Sequence, residues 1–225
     1  MAHWARSALI GAYATDVPDV ERTPVVPLEA GAGPDNPPCP ACGEPLFGWI
    51  DARPGLAGPV SRCESCGLGV VAAPGEPAEA LRELDRLEAD GVLTIDNRAG
   101  FSASLGGAGW AGLERGSRYL FTAEAVRRLV ARRDQVVRSA RWAPGAGIAS
   151  VWQTLLNGLT FGRNVALGSL GRASAVPASR PWQRRLDALV SVLAALPALI
   201  VAVPIELVGA PLRRGSVTRL RLELL

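Results

Sequence analysis

Hydrophobic and polar positions recur with different periods along this chain, and each period predicts an element. Over residues 77–89, Leu81, Leu84 and Leu87 fall three apart among polar positions that include Glu83 and Arg86, which predicts an amphipathic helix closed by Asp90-Gly91. Val92–Ile95 is a short apolar run that stops at Asp96-Asn97 and reads as a strand. A second helix is expected to take Thr122 as its N-cap and Glu124 in its first turn. It would bury Val126, Leu129 and Val130, with Arg127, Arg128, Arg132 and Arg133 on its other side. Gln135–Arg138 suggests a short strand and Trp152–Leu159 a further helical piece. From Thr218 to Leu224 the period becomes two, with Leu220, Leu222 and Leu224 on one face and Arg219, Arg221 and Glu223 on the other, the signature of a half-buried strand.

One segment has no polar face. Residues 188–205 carry no charge, and the apolar run resumes after Glu206 as LVGAPL, between Arg184-Arg185 and Arg213-Arg214. A helix of that uncharged stretch rises roughly 27 Å, just short of the ~30 Å hydrocarbon core. Pro197 and Pro204 interrupt it, and positive charge on both flanks gives no sidedness. The run fits a marginal span, a hairpin or pair of short helices embedded in one leaflet, or buried core; membrane association is the expectation. Glu206 reads as an acid at a helix terminus or interface rather than a functional intramembrane group. Trp152 and Trp182 fit core positions and interfacial anchors equally.

Proline and glycine divide the chain. Residues 1–37 read as a flexible lead-in, 38–72 as a cysteine module, 73–180 as an α/β region, 181–213 as hydrophobic helices and 214–225 as a closing strand. The glycine run Leu105–Gly109 is expected to be loop. A chain of 225 residues accommodates one ordinary domain, or a small module with a medium one. Its net charge of +3 comes from 24 basic residues, all Arg, spread among 21 acids, so no nucleic-acid partner is expected. Asp16, Asp19 and Glu21 follow the short apolar stretch at the start, which argues against a cleaved signal peptide and for the cytoplasmic side. His3 is the only histidine, so histidine-based acid–base chemistry has little basis. Asp96 ends a strand and suits a turn or cap better than catalysis.

All four cysteines fall in two CxxC pairs, Cys39/Cys42 and Cys63/Cys66, with twenty residues between the pairs. Cytosolic thiols stay reduced, so this spacing favours a structural zinc ion over disulfides, a redox dithiol or an iron–sulfur centre. Gly43 and Gly67 follow each pair, where a knuckle turn needs positive φ. A four-thiolate site has no open coordination position and therefore stabilises rather than catalyses.

Several segments together resemble one architecture. CPACG and RCESCGLGVVAAPGEP are similar to the zinc ribbon, and its exit turn, of bacterial class I S-adenosylmethionine-dependent methyltransferases. LRELDRLEADGVLTIDN resembles the helix, turn and strand late in that fold, with Asp96 where the family has proline. WAGLERGSRYLFTAEAVRRLVARRDQVV resembles the following segment, its helix opening at Phe121-Thr122, and VWQTLLNGLTFGRN and RGSVTRLRLELL continue the likeness. The resemblance implies an α/β (α+β) protein: an N-terminal zinc ribbon, a truncated Rossmann-like methyltransferase remnant and a C-terminal hydrophobic helical segment. Where the family places its first strands and glycine-rich cofactor loop, this chain has only the turn AAPGEP. The expectation is therefore structural zinc, no S-adenosylmethionine, no catalytic residue, and a role in binding a protein partner or second copy at the membrane. The alternative is a methyltransferase, or a subunit of one, whose cofactor site another chain completes.

Overall fold

The computed structural model describes residues 36–225 apart from 53–55, 114–116 and 172–174. All but the last two positions of the expected lead-in 1–37, His3 included, lie outside the described residues. Three short strands open the described chain: β1 (Leu46–Ile50), β2 (Val60–Cys63) and β3 (Gly69–Val71). α1 (Pro77–Leu87), β4 (Glu88–Ala89), β5 (Val92–Asp96) and α2 (Phe101–Gly106) follow. Then come β6 (Tyr119–Leu120), α3 (Ala123–Val130), β7 (Gln135–Trp142), α4 (Pro144–Asn157), α5 (Val165–Ser169), α6 (Pro181–Gly209) and β8 (Val217–Leu224).

The result is a mixed α/β protein with two four-stranded antiparallel sheets, ordered β1-β2-β3-β6 and β4-β5-β8-β7. In the second sheet β8 lies between β5 and β7 and pairs antiparallel with both, so those two strands run parallel to each other without touching. β6 joins the sheet of the cysteine module, so that sheet extends past the expected boundary at residue 72. One buried cluster spans both parts: Cys39, Cys63, Cys66 and Leu68 pack with Leu84, Leu93, Val126, Leu129 and Leu220.

The periodic segments behave as their patterns predict. Ala80, Leu81 and Leu84 are buried on α1, and Ala125, Val126, Leu129 and Val130 on α3. β8 buries Leu220 fully, but Leu224 is exposed because the strand outruns its cover. Leu105–Gly109 corrects an expectation: it forms the end of α2 and a 3-10 turn, not loop. Burial of Ala103 beside Trp110, and the hydrogen bond from Asn157 Nδ2 to Gly109 O at 2.9 Å, hold the segment helical against its glycine content.

The apolar run is one helix, not two or a hairpin. α6 passes through Pro197 and Pro204 without a break. The two prolines stand seven residues apart and both are exposed, so the missing N–H groups fall on the outer side. The ladder facing α4 stays intact.

Candidate metal centre

The two CxxC knuckles have the same backbone construction. Gly43 N–H donates to Cys39 O at 2.8 Å and Gly67 N–H to Cys63 O at 3.0 Å, with φ of 81° and 75° at the two glycines. Cys39 N–H donates to Glu44 O and Cys63 N–H to Leu68 O, closing each knuckle onto the strand segment beyond it. Pairing of Leu46 with Cys63 across β1 and β2 then sets the knuckles side by side.

This brings the four predicted ligands together. Cys39 Sγ lies 3.6 Å from Cys66 Sγ, Cys42 Sγ lies 3.4 Å from Cys63 Sγ, and all four sulfurs fall within 4.8 Å of one another. Four thiolates about 2.3 Å from a tetrahedral metal stand about 3.8 Å apart, so the cluster can hold one metal ion with little rearrangement. Cys39, Cys63 and Cys66 are buried and Cys42 is half-buried.

Crowding splits the thiols. Hydrogen bonds from Cys39 and its neighbours pull Cys63 far down and Cys42 down to about 7, while hydrogen bonding within the cluster, reinforced by burial, pushes Cys39 and Cys66 up. A divalent cation bound here would favour all four cysteines as thiolates and release whatever protons they hold.

The surroundings fix the second knuckle. Thr122 Oγ1 donates to Cys66 O at 2.6 Å and accepts from Ala125 N–H at 3.0 Å, so the α3 N-cap also ties down a ligand's carbonyl. The arginine side of α3 faces this module. Arg128 pairs with Glu124 at 2.9 Å and reaches Ser65 Oγ, Arg127 pairs with Glu124, Arg132 donates to Ala41 O, and Arg133 meets Asp85 at 2.6 Å. Arg128 and Arg132 thereby tie α3 and the turn after it to the two knuckles.

Other residues singled out in the sequence lie elsewhere. Asp96 is exposed at the end of β5, lining a cavity of about 90 Å³ with Glu83, Thr94, Tyr119 and Phe121. Burial raises Glu83 above the usual carboxylate range and pushes Tyr119 up to about 12. Such a space suits a few waters rather than a cofactor.

Glu206 is fully buried where α6 crosses the sheet. Its Oε1 accepts from Trp142 Nε1 at 2.6 Å and Ser216 N–H at 2.7 Å, and its Oε2 accepts from Ser216 Oγ at 2.7 Å. Gly147 of α4 backs the carboxylate, and a Cβ there would collide with it. Trp152 is half-buried and donates to Ala195 O of α6, whereas Trp182 is exposed.

Sequence reasoning missed two polar groups. Asp187, 2% exposed, accepts the backbone N–H groups of Phe161 and Gly162 at 2.8 and 2.9 Å. Gln153, Asn157 and Asn164 form a buried amide chain that closes onto Ala111 O and Leu167 N–H. An acid at the start of an apolar run and polar side chains spaced i, i+4 on one helix were the available signals.

In comparisons with known proteins, no family model, no curated protein and no solved structure matches this chain.

Proposed function

We propose that this chain is a zinc-stabilised adaptor: a truncated, catalytically silent methyltransferase-like protein, held at the cytoplasmic face of a membrane, that works by binding a protein partner. The observation that carries the reading is the four-sulfur cluster built into the core shared by α1, α3, β5 and β8. Four thiolates at tetrahedral spacing suit zinc and fill its coordination shell, so the metal's work is to hold a surface rigid. The long apolar helix supports the membrane element, and the turn AAPGEP in place of a cofactor loop supports catalytic silence.

The test is calorimetric titration of S-adenosylmethionine into the metal-loaded full-length protein, with the bound metal identified by elemental analysis. A flat titration with one zinc per chain is expected. Saturable micromolar binding would overturn the adaptor reading.

One observation favours a second reading, a methyltransferase subunit completed by another chain. The outer edge of β7 has no strand against it among the described residues, so its eight residues can accept a strand from another chain. Methyl transfer only by a co-purified pair would establish that alternative.

A further inference from the structure

α6 is built inside-out relative to a helix of a water-soluble protein. Its inner stripe, Asp187, Ala198, Ala202, Glu206 and Gly209, is small or polar and buried. Its outer face carries large apolar side chains, among them Val192 at 75% exposure, Leu193 at 69%, Leu196 at 66% and Ile200 at 64%. Small residues let α4 approach closely, while the hydrophobic bulk faces outward.

Both ends of this helix are fastened to the same body. At its start, Asp187 caps the Phe161–Gly162 turn; near its end, Glu206 holds Trp142 and Ser216 of the β7–β8 sheet. A helix crossing a bilayer would have to separate those attachments onto opposite sides, with α4 and the sheet edge carried into hydrocarbon.

Charge names the occupant. Between residues 175 and 216 the only acids are Asp187 and Glu206, both buried, whereas Arg180, Arg184, Arg185, Arg213 and Arg214 are exposed. A second copy seated on this face, in either orientation, would set arginine clusters against arginine clusters. An anionic surface meets them with opposite charge. Trp182 and Phe161, exposed and stacked edge-on at 5.6 Å, stand at one end as an aromatic anchor of the kind found at headgroup depth. At the other end Arg214 lies over the Phe101 ring beside an open apolar groove lined by Leu105, Pro204, Ile205 and Val208.

We infer that α6 docks flat on one leaflet of an anionic phospholipid membrane, its outer face sunk to acyl-chain depth and its flanking arginines on the headgroups. This deepens the membrane element of the adaptor reading and rests on it.

The experiment adds metal-loaded full-length protein to preformed vesicles of phosphatidylcholine, with or without phosphatidylglycerol. Flotation is expected to show about tenfold or stronger binding to the anionic vesicles, weakening as salt rises. A Leu193→Glu/Ile200→Glu variant, altered only at exposed positions, is expected to keep its metal content and near-ultraviolet dichroism and lose that binding. Polarised infrared spectroscopy of the bound protein should place the long helix parallel to the bilayer. The inference is overturned by absence of binding to both vesicle types, by a helix standing along the membrane normal, or by a lipid-free dimer that the variant converts to monomer. Failure here with a flat S-adenosylmethionine titration removes membrane docking alone; cofactor binding with intact vesicle binding removes the adaptor reading alone.

Discussion

Thr122 caps a helix and secures a metal ligand with one hydroxyl, accepting from Ala125 N–H while donating to Cys66 O. Thr122→Ala should therefore cost about 1–2 kcal/mol in chemical denaturation, and Thr122→Ser should recover most of it. Glu83 makes a pH-dependent prediction. Burial raises its folded-state pKa, so the stability linked to its protonation is present below the ordinary value of 4.5 and lost as pH rises through the folded value. At neutral pH, Glu83→Gln should melt about 1–2 °C higher than the native chain, and the difference should fade on acidification; an unchanged gap across pH would refute the assignment. Thr122 was legible because a cap followed by an acid is a local signal. The role of Glu206 was not, because its three donors come from Trp142 and Ser216, brought close only by the fold.

Among the elements, α6 depends most on a single side chain. Glu206→Ala would leave Trp142 Nε1–H, the Ser216 N–H and the Ser216 hydroxyl facing a buried gap, and should cost about 3 kcal/mol or more by urea unfolding. Glu206→Gln, which retains a carbonyl acceptor, should cost less. The amphipathic elements α1, α3 and β8 could be read directly because one face of each is buried and the other solvated, so burial follows the residue period. α6 defeated that logic. Its buried stripe is the small and polar one, so hydropathy located the segment while its prolines suggested a break that tertiary support from α4 prevents. Leu105–Gly109 failed for a related reason: glycine-rich composition reads as loop until the packing of Trp110 and Asn157 is known.

For the whole molecule, the shared core means that a metal bound by the four cysteines would hold more than its own module. Chelation should unfold the cysteine module, α1 and α3 in one transition, followed together by near- and far-ultraviolet dichroism; persistence of native far-ultraviolet signal would show the module to be separable. Cys63→Ser should reduce bound metal well below one equivalent and lower the melting temperature by about 10 °C or more. The clustering of the four cysteines was legible, since two CxxC pairs at knuckle spacing encode their own geometry. The continuity of that module with the α/β region was not, because it depends on the two-residue strand β6 and on the hydrogen bond from Thr122 to Cys66 O, neither marked by composition. The central place of β8 also orders events during synthesis. β5 and β7 meet only through β8, the strand that follows α6 in the chain, so the second sheet stays divided until the last element has been made and brought in between them.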